Sequence, residues 1–137
     1  METLLKVGEI IPLPKILDTR GNLSFAENQS HLPFEIKRAY WIYDVPGGTE
    51  RGGHAYRENT EMVIALSGSF DVLLDNGEHI EKFSLNRSYY GLLIPKMMWR
   101  TMVNFSTNSL ALVLSSTEYS EGDYIRDYHE FLNTARK

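Results

Sequence analysis

Short runs of β-branched and aromatic residues, broken by Gly, Pro, Asn and Asp roughly every ten residues, constrain this chain more than any other feature. Residues 39–45 (AYWIYDV) end at Pro46-Gly47-Gly48, and residues 62–66 (MVIAL) end at Ser67-Gly68. Residues 70–74 alternate, with Phe70, Val72 and Leu74 on one face. Asn76-Gly77 then supplies the positive φ of a hairpin turn, and residues 80–85 return along it. Residues 89–94 and 109–114 read as two more strands, and 10–17 and 23–25 flank a further hairpin at 18–22. Only the C-terminus reads as helix. Ser120 is placed as its cap, Asp123 sits near the positive end of the dipole, and Tyr124, Ile125, Tyr128, Phe131 and Leu132 recur at helical spacing. The pattern predicts a small antiparallel β-barrel with one helix packed on the barrel or on a partner subunit.

A length of 137 residues suits one domain spanning 1–137. Fourteen Lys+Arg against 18 Asp+Glu leave a net charge of −4, which argues against a nucleic-acid partner. The absence of cysteine excludes disulfides, Cys-ligated zinc and thiol nucleophiles. Apolar runs such as 89–95 and 110–114 are too short to span a bilayer, so no membrane partner is expected. Residues 1–14 show no basic region followed by a long apolar stretch, so no signal peptide is expected and a cytoplasmic location is.

The chemistry is concentrated at residues 48–68, which read G-x5-H-x-Y-x4-E-x6-G through Gly48, His54, Tyr56, Glu61 and Gly68. This resembles the first cupin motif with its second histidine replaced by Tyr56. Residues 95–104 resemble the second motif, P-x-G-x2-H-x3-N, with Met97 at the glycine and Arg100 at the histidine. The four slots that hold metal in a metal-binding cupin are here His54, Tyr56, Glu61 and Arg100. Tyrosine is a poor ligand at neutral pH, and a guanidinium keeps its proton and repels a divalent cation. No metal and no cofactor are therefore expected. Strand alternation puts His54 and Tyr56 on one face, the interior of a small barrel, where such groups are costly unless they serve a polar pocket. A histidine that can move protons near neutral pH, beside a fixed planar cation, suits proton abstraction next to a carbonyl. The remaining histidines, His31, His79 and His129, read as solvated surface, while Tyr40, Trp41 and Tyr43 read as core aromatics or as a stacking platform for a base or sugar.

Further segments extend the resemblance beyond cupins in general. Residues 18–23 (DTRGNL), 33–40 (PFEIKRAY), 51–55 (RGGHA), 66–69 (LSGS) and 118–128 (EYSEGDYIRDY) are similar, in this order, to the WxcM-like sugar-nucleotide 3,4-ketoisomerases that act on dTDP-4-dehydro-6-deoxyglucose. The resemblance spans about residues 8–132. It implies an RmlC-like cupin, an all-β jelly-roll barrel with a C-terminal α-helix. It also implies a metal-independent isomerase that shifts the keto group of a dTDP-linked keto-deoxyhexose from C4 to C3, supplying 3-amino-3,6-dideoxy sugars of bacterial surface glycans such as O-antigen lipopolysaccharide and S-layers. By the same resemblance His54 is the catalytic base; Arg100 or Tyr56 is then expected to steady the enediolate oxygen, His54, Tyr56 or pocket water to return a proton at C4, and Arg20, Arg38, Tyr40, Arg51 and Glu61 to bind substrate. A homodimer with exchanged N-terminal strands is implied as well. This chain departs from the family at Tyr56, usually His, and at Glu61, usually Gln. The competing readings are a non-catalytic sugar-nucleotide-binding cupin and a dTDP-sugar 3,5-epimerase, although the Asp that partners an epimerase's histidine is not evident.

Overall fold

The computed structural model describes residues 7–136, and residues 1–6 of the N-terminal segment read for a leader lie outside them. Two five-stranded antiparallel sheets pack face to face. The first, in spatial order, holds β1 (Glu9–Pro12), β9 (Tyr90–Ile94), β6 (Glu61–Ser67), β11 (Leu110–Ser115) and β4 (Arg38–Tyr43). The second holds β12 (Tyr124–Ile125), β5 (Arg51–Tyr56), β10 (Trp99–Val103), β7 (Phe70–Asp75) and β8 (Ile80–Leu85). A separate hairpin pairs β2 (Lys15–Ile16) with β3 (Leu23–Ser24). This is the jelly-roll cupin architecture that the strand pattern and motifs predict.

Alternation along each strand sorts side chains into three apolar layers. Val63, Val72, Leu74, Ile94 and Val113 fill the space between the sheets. On the outside of the first sheet, Met62, Ile64 and Leu114 are covered by Leu13 and Leu32. On the outside of the second, Ala55 and Ile125 are covered by Phe131 of the helix α1 (Tyr128–Ala135). Among the described residues no helix is long and apolar enough to cross a membrane.

Several sequence expectations change. The C-terminal helix begins at Tyr128, not after Ser120, and its cap is Asp127, whose carboxylate accepts the Glu130 N–H. Tyr124 and Ile125 are a strand instead, paired with Tyr56 and Ala55, because one sheet edge offers them both a backbone ladder and a buried outer face for Ile125. The loop joining β7 and β8 has four residues. Gly77 alone takes the positive φ, while the Asn76 side chain accepts the Glu78 and His79 N–H groups and replaces the tight two-residue turn. Trp41 and Tyr43 are not core. They alternate with Tyr40 on β4 and stand 59% and 61% exposed on the outer face of the first sheet. At the sheet edge, β1 pairs antiparallel with β9.

Candidate active site

Between the sheets, at one end of the barrel, lies a cavity of about 610 Å³. Its position follows from a single irregularity. In the β5–β10 ladder, Arg100 pairs with His54 and Thr101 with Gly52, so Gly53 is an extra, unpaired residue. Gly52 and Gly53 both have positive φ, and a Cβ on Gly52 would lie 3.0 Å from the Arg100 carbonyl oxygen. The Gly-Gly pair of the sequence motif is thus a β-bulge, which re-aims the residues that follow it. After the bulge, His54 and Tyr56 share the inner face, with Arg100 directly across from His54 and Tyr124 across from Tyr56. Met97, at the motif's glycine, keeps the left-handed backbone that glycine would favour, with φ 57°. Its N–H donates to the Tyr56 carbonyl at 2.7 Å, which ties the turn to β5.

The electrostatics are set by one buried ion pair. Glu61 Oε1 accepts from Arg100 Nη1 at 2.7 Å, and both side chains are almost wholly buried. Glu61 Oε2 accepts from the Tyr40 hydroxyl at 2.9 Å, Asn59 Nδ2 at 3.0 Å and Ser115 Oγ at 2.8 Å. Four donors on one carboxylate are the compensation that a buried charge needs. Asn59 is itself held, its Oδ1 accepting the backbone N–H groups of Ser116 and Thr117. The donor set does not fit a divalent cation: the glutamate oxygens are engaged and a guanidinium stands at the fourth slot.

His54 behaves differently from an ordinary imidazole. Burial first, then the charges of Arg100 and Arg126, push its pKa down to about 3, partly opposed by a hydrogen bond to the Gly52 backbone. Its Nε2 is buried and has no partner among the described residues, and the same is true of Arg100 Nε and Arg38 Nε. A bare imidazole acceptor and a bare guanidinium donor therefore sit on directly paired residues. Buried polar atoms are rarely left unsatisfied without a role. The Tyr56 phenol is held protonated by burial, Glu61 and Tyr40, and that of Tyr40 by burial and Glu61.

The cavity brings together Arg38, Tyr40, Arg51, His54, Tyr56, Glu61 and Arg100, seven of the eight residues expected from the sequence. Arg20 is the exception. It sits at the tip of the β2–β3 hairpin, 87% exposed, and its guanidinium pairs with Asp18 at 2.7 Å. Glu61 is committed to its four protein donors, which makes it a holder of Arg100. The sequence reading missed Tyr119, Tyr124 and Arg126, which also line the cavity. All three lie in residues 118–128, noted above for family likeness but read structurally as the start of a helix. His79 and His129 are exposed as expected, while His31 is half-buried, accepting the Glu27 N–H and packing its ring edge on Phe25.

The family model described as FdtA, WxcM-like, C-terminal matches residues 6–136. This chain belongs to that family. It is 38% identical over 124 residues to the TDP-4-oxo-6-deoxy-alpha-D-glucose-3,4-oxoisomerase of Aneurinibacillus thermoaerophilus, covering 90% of this chain and 89% of that one. It is similar to the WlaRB TDP-quinovose 3,4-ketoisomerase of Campylobacter jejuni, with a TM-score of 0.90, 45% identity and coverage of 94% of this chain and 99% of that one. It is also similar to the QdtA sugar 3,4-ketoisomerase of Thermoanaerobacterium thermosaccharolyticum solved with TDP, with a TM-score of 0.94, 33% identity and 97% coverage of each. The dTDP-4-dehydrorhamnose 3,5-epimerase of Bacillus anthracis shares the fold alone, at 16% identity and a TM-score of 0.77.

Proposed function

We propose that this family member is a TDP-sugar 3,4-ketoisomerase acting on TDP-4-keto-6-deoxyglucose and yielding the 3-keto sugar. The observation that carries the reading is the pairing of unpartnered His54 Nε2 with unpartnered Arg100 Nε across β5 and β10. In this mechanism His54, neutral across the physiological range, takes the C3 proton made acidic by the C4 carbonyl. The Arg100 guanidinium, held by Glu61, donates to the oxygen on which charge develops. A proton delivered to C4 completes the isomerisation. Arg38 and Arg51, which line the same cavity, supply cations for the diphosphate.

Proton NMR of TDP-4-keto-6-deoxyglucose incubated with the protein in deuterated water tests this directly. A 3-keto product with loss of the C3 proton signal is expected. Exchange at C5 would indicate a 3,5-epimerase, and an unchanged spectrum with tight binding would indicate a non-catalytic module.

The same reading includes a homodimer. The N-terminal element assigned to exchange is the β2–β3 hairpin, where Ile16, Leu17 and Leu23 are exposed. Trp41 and Tyr43 extend the uncovered apolar surface on the first sheet. In such a dimer Arg20 contacts substrate only in the partner's cavity. Light scattering at micromolar concentration is expected to give twice the chain mass, and a monomer would remove both the dimer and the substrate role of Arg20. The reaction is placed in the cytoplasm, and recovery of the protein in a membrane fraction would overturn that placement.

A further inference from the structure

The wall of the cavity contains a pair of hydroxyls that the mechanism above leaves unused. Tyr56 and Tyr124 are cross-strand partners, and the Tyr56 hydroxyl donates to that of Tyr124 at 3.3 Å. Their rings meet edge to face at 4.7 Å, and the Tyr124 ring also lies 5.2 Å from that of His54. Tyr56 is 1% exposed. Tyr124 is half-buried, and its ring is covered by Arg126, whose guanidinium sits 4.2 Å from the ring centroid and is held by Glu121. The pair therefore runs from the closed wall beside His54 toward the aqueous side of the cavity.

A phenol both donates and accepts, so two in contact can pass a proton in either direction by reversing the bond between them. Tyr56 cannot ionise by itself at a site this close to Glu61 and this deeply buried. It can release a proton only if another reaches it in the same event. The Tyr40 hydroxyl also neighbours that of Tyr56, but its one proton is donated to Glu61, which leaves Tyr124 as the hydroxyl that can supply a proton.

We propose that Tyr56 and Tyr124 form a two-hydroxyl relay that brings a solvent proton to C4 of the sugar, so that the proton placed on C4 is not the one His54 removes from C3. The proposal rests on the ketoisomerase reading and specifies its second half. The C3–H bond breaks, its proton goes to His54 Nε2, and its electron pair forms the C3=C4 enediolate with the charge on O4. The O3 proton passes to O4. The C3 oxygen then forms its carbonyl as C4 takes the Tyr56 proton, Tyr56 takes that of Tyr124, and Tyr124 is reprotonated from solvent. The His54 imidazolium returns its proton to solvent, so the net change is isomerisation alone. Tyr56 is the catalytic acid, while Tyr124 acts through it.

The experiment uses TDP-4-keto-6-deoxyglucose carrying deuterium at C3, turned over in ordinary water by the full chain, by Tyr124→Phe and by Tyr56→Phe. Both variants keep the ring contacts and lose one hydroxyl. The unmodified protein is expected to place protium at C4 in nearly every product molecule. Each variant is expected to turn over on the order of a hundredfold more slowly, the low end of what a positioned acid contributes, with deuterium from C3 now appearing at C4 as His54 returns the atom it took. The double variant should be no slower than the slower single one, because the two hydroxyls act in series. Deuterium at C4 in the product of the unmodified protein would overturn the relay. So would variants that slow turnover without changing the label, since that is the mark of a purely structural role. Absence of any turnover by the unmodified protein would overturn the ketoisomerase reading itself, and the relay with it.

Discussion

Replacing His54 by Gln is expected to lower kcat by about 10²–10⁴-fold, the usual contribution of a positioned general base, while the chain folds as before. The bulge that aims residue 54 is made by the backbones of Gly52 and Gly53, so the substitution leaves the scaffold intact. Steady-state turnover checks the first part and circular dichroism the second; turnover within tenfold of the unmodified chain would remove the base assignment. A pH signature accompanies it. Because the imidazole pKa is held at about 3, below the unperturbed 6.5, His54 stays neutral in the folded chain throughout the range in which an ordinary histidine titrates. The kcat/KM profile is therefore expected to show no break near pH 6.5. Stability carries the linked sign. Above pH 6.5 the group is neutral in both states and costs nothing, and as pH falls from 6.5 toward 3 only the unfolded chain takes up the proton, so stability is lost. Urea titrations at pH 7 and pH 4.5 should show a larger loss for the unmodified chain than for His54→Gln.

Glu61→Ala is expected to destabilise the fold by about 3–5 kcal/mol, the usual consequence of leaving one member of a buried ion pair uncompensated. Here the member left behind is Arg100, whose side chain is 4% exposed and whose other hydrogen bond among the described residues is a 3.3 Å bond to the Met98 carbonyl. Tyr40, Asn59 and Ser115 would lose their shared acceptor at the same time. The double substitution Glu61→Leu, Arg100→Met should recover part of the loss, since both charges then leave together while Tyr40, Asn59 and Ser115 still lack their acceptor, and it should remain inactive. Urea unfolding of the three proteins checks the order. A loss below about 1 kcal/mol for Glu61→Ala, the range of solvent-exposed pairs, would mean that water reaches the guanidinium and that Glu61 does not hold it.

These two expectations draw on different kinds of information. Short-range pattern alone locates the strands at 39–45, 62–66, 70–74 and 80–85, because side-chain alternation and turn residues are local properties. Motif spacing alone places His54, Tyr56, Glu61 and Arg100 together, and the cavity confirms their juxtaposition. The same spacing does not show what each residue touches. Glu61 reads as a pocket carboxylate in the sequence, yet its oxygens are taken up by donors from β4, β10, β11 and Asn59.

Tyr124 shows where local pattern fails. Tyr124, Ile125, Tyr128 and Phe131 fit a helical stripe by spacing, but the first two belong to a strand whose ladder partner lies 68 residues earlier in the chain. A two-residue strand has too little alternation to be recognised, and its existence depends on the free edge of β5, which only the folded barrel creates. Arg20 has the reverse history: its family likeness is legible, but its place on an exposed hairpin outside its own cavity is a matter of chain path. Residue order was enough for the barrel and for placing His54 and Arg100 in one pocket, because alternation, turns and motif spacing act over a few bonds. The neutral state of His54, the engagement of Glu61 and the contact of Tyr56 with Tyr124 arise from groups far apart in sequence, and only tertiary packing brings their charges and hydroxyls within reach.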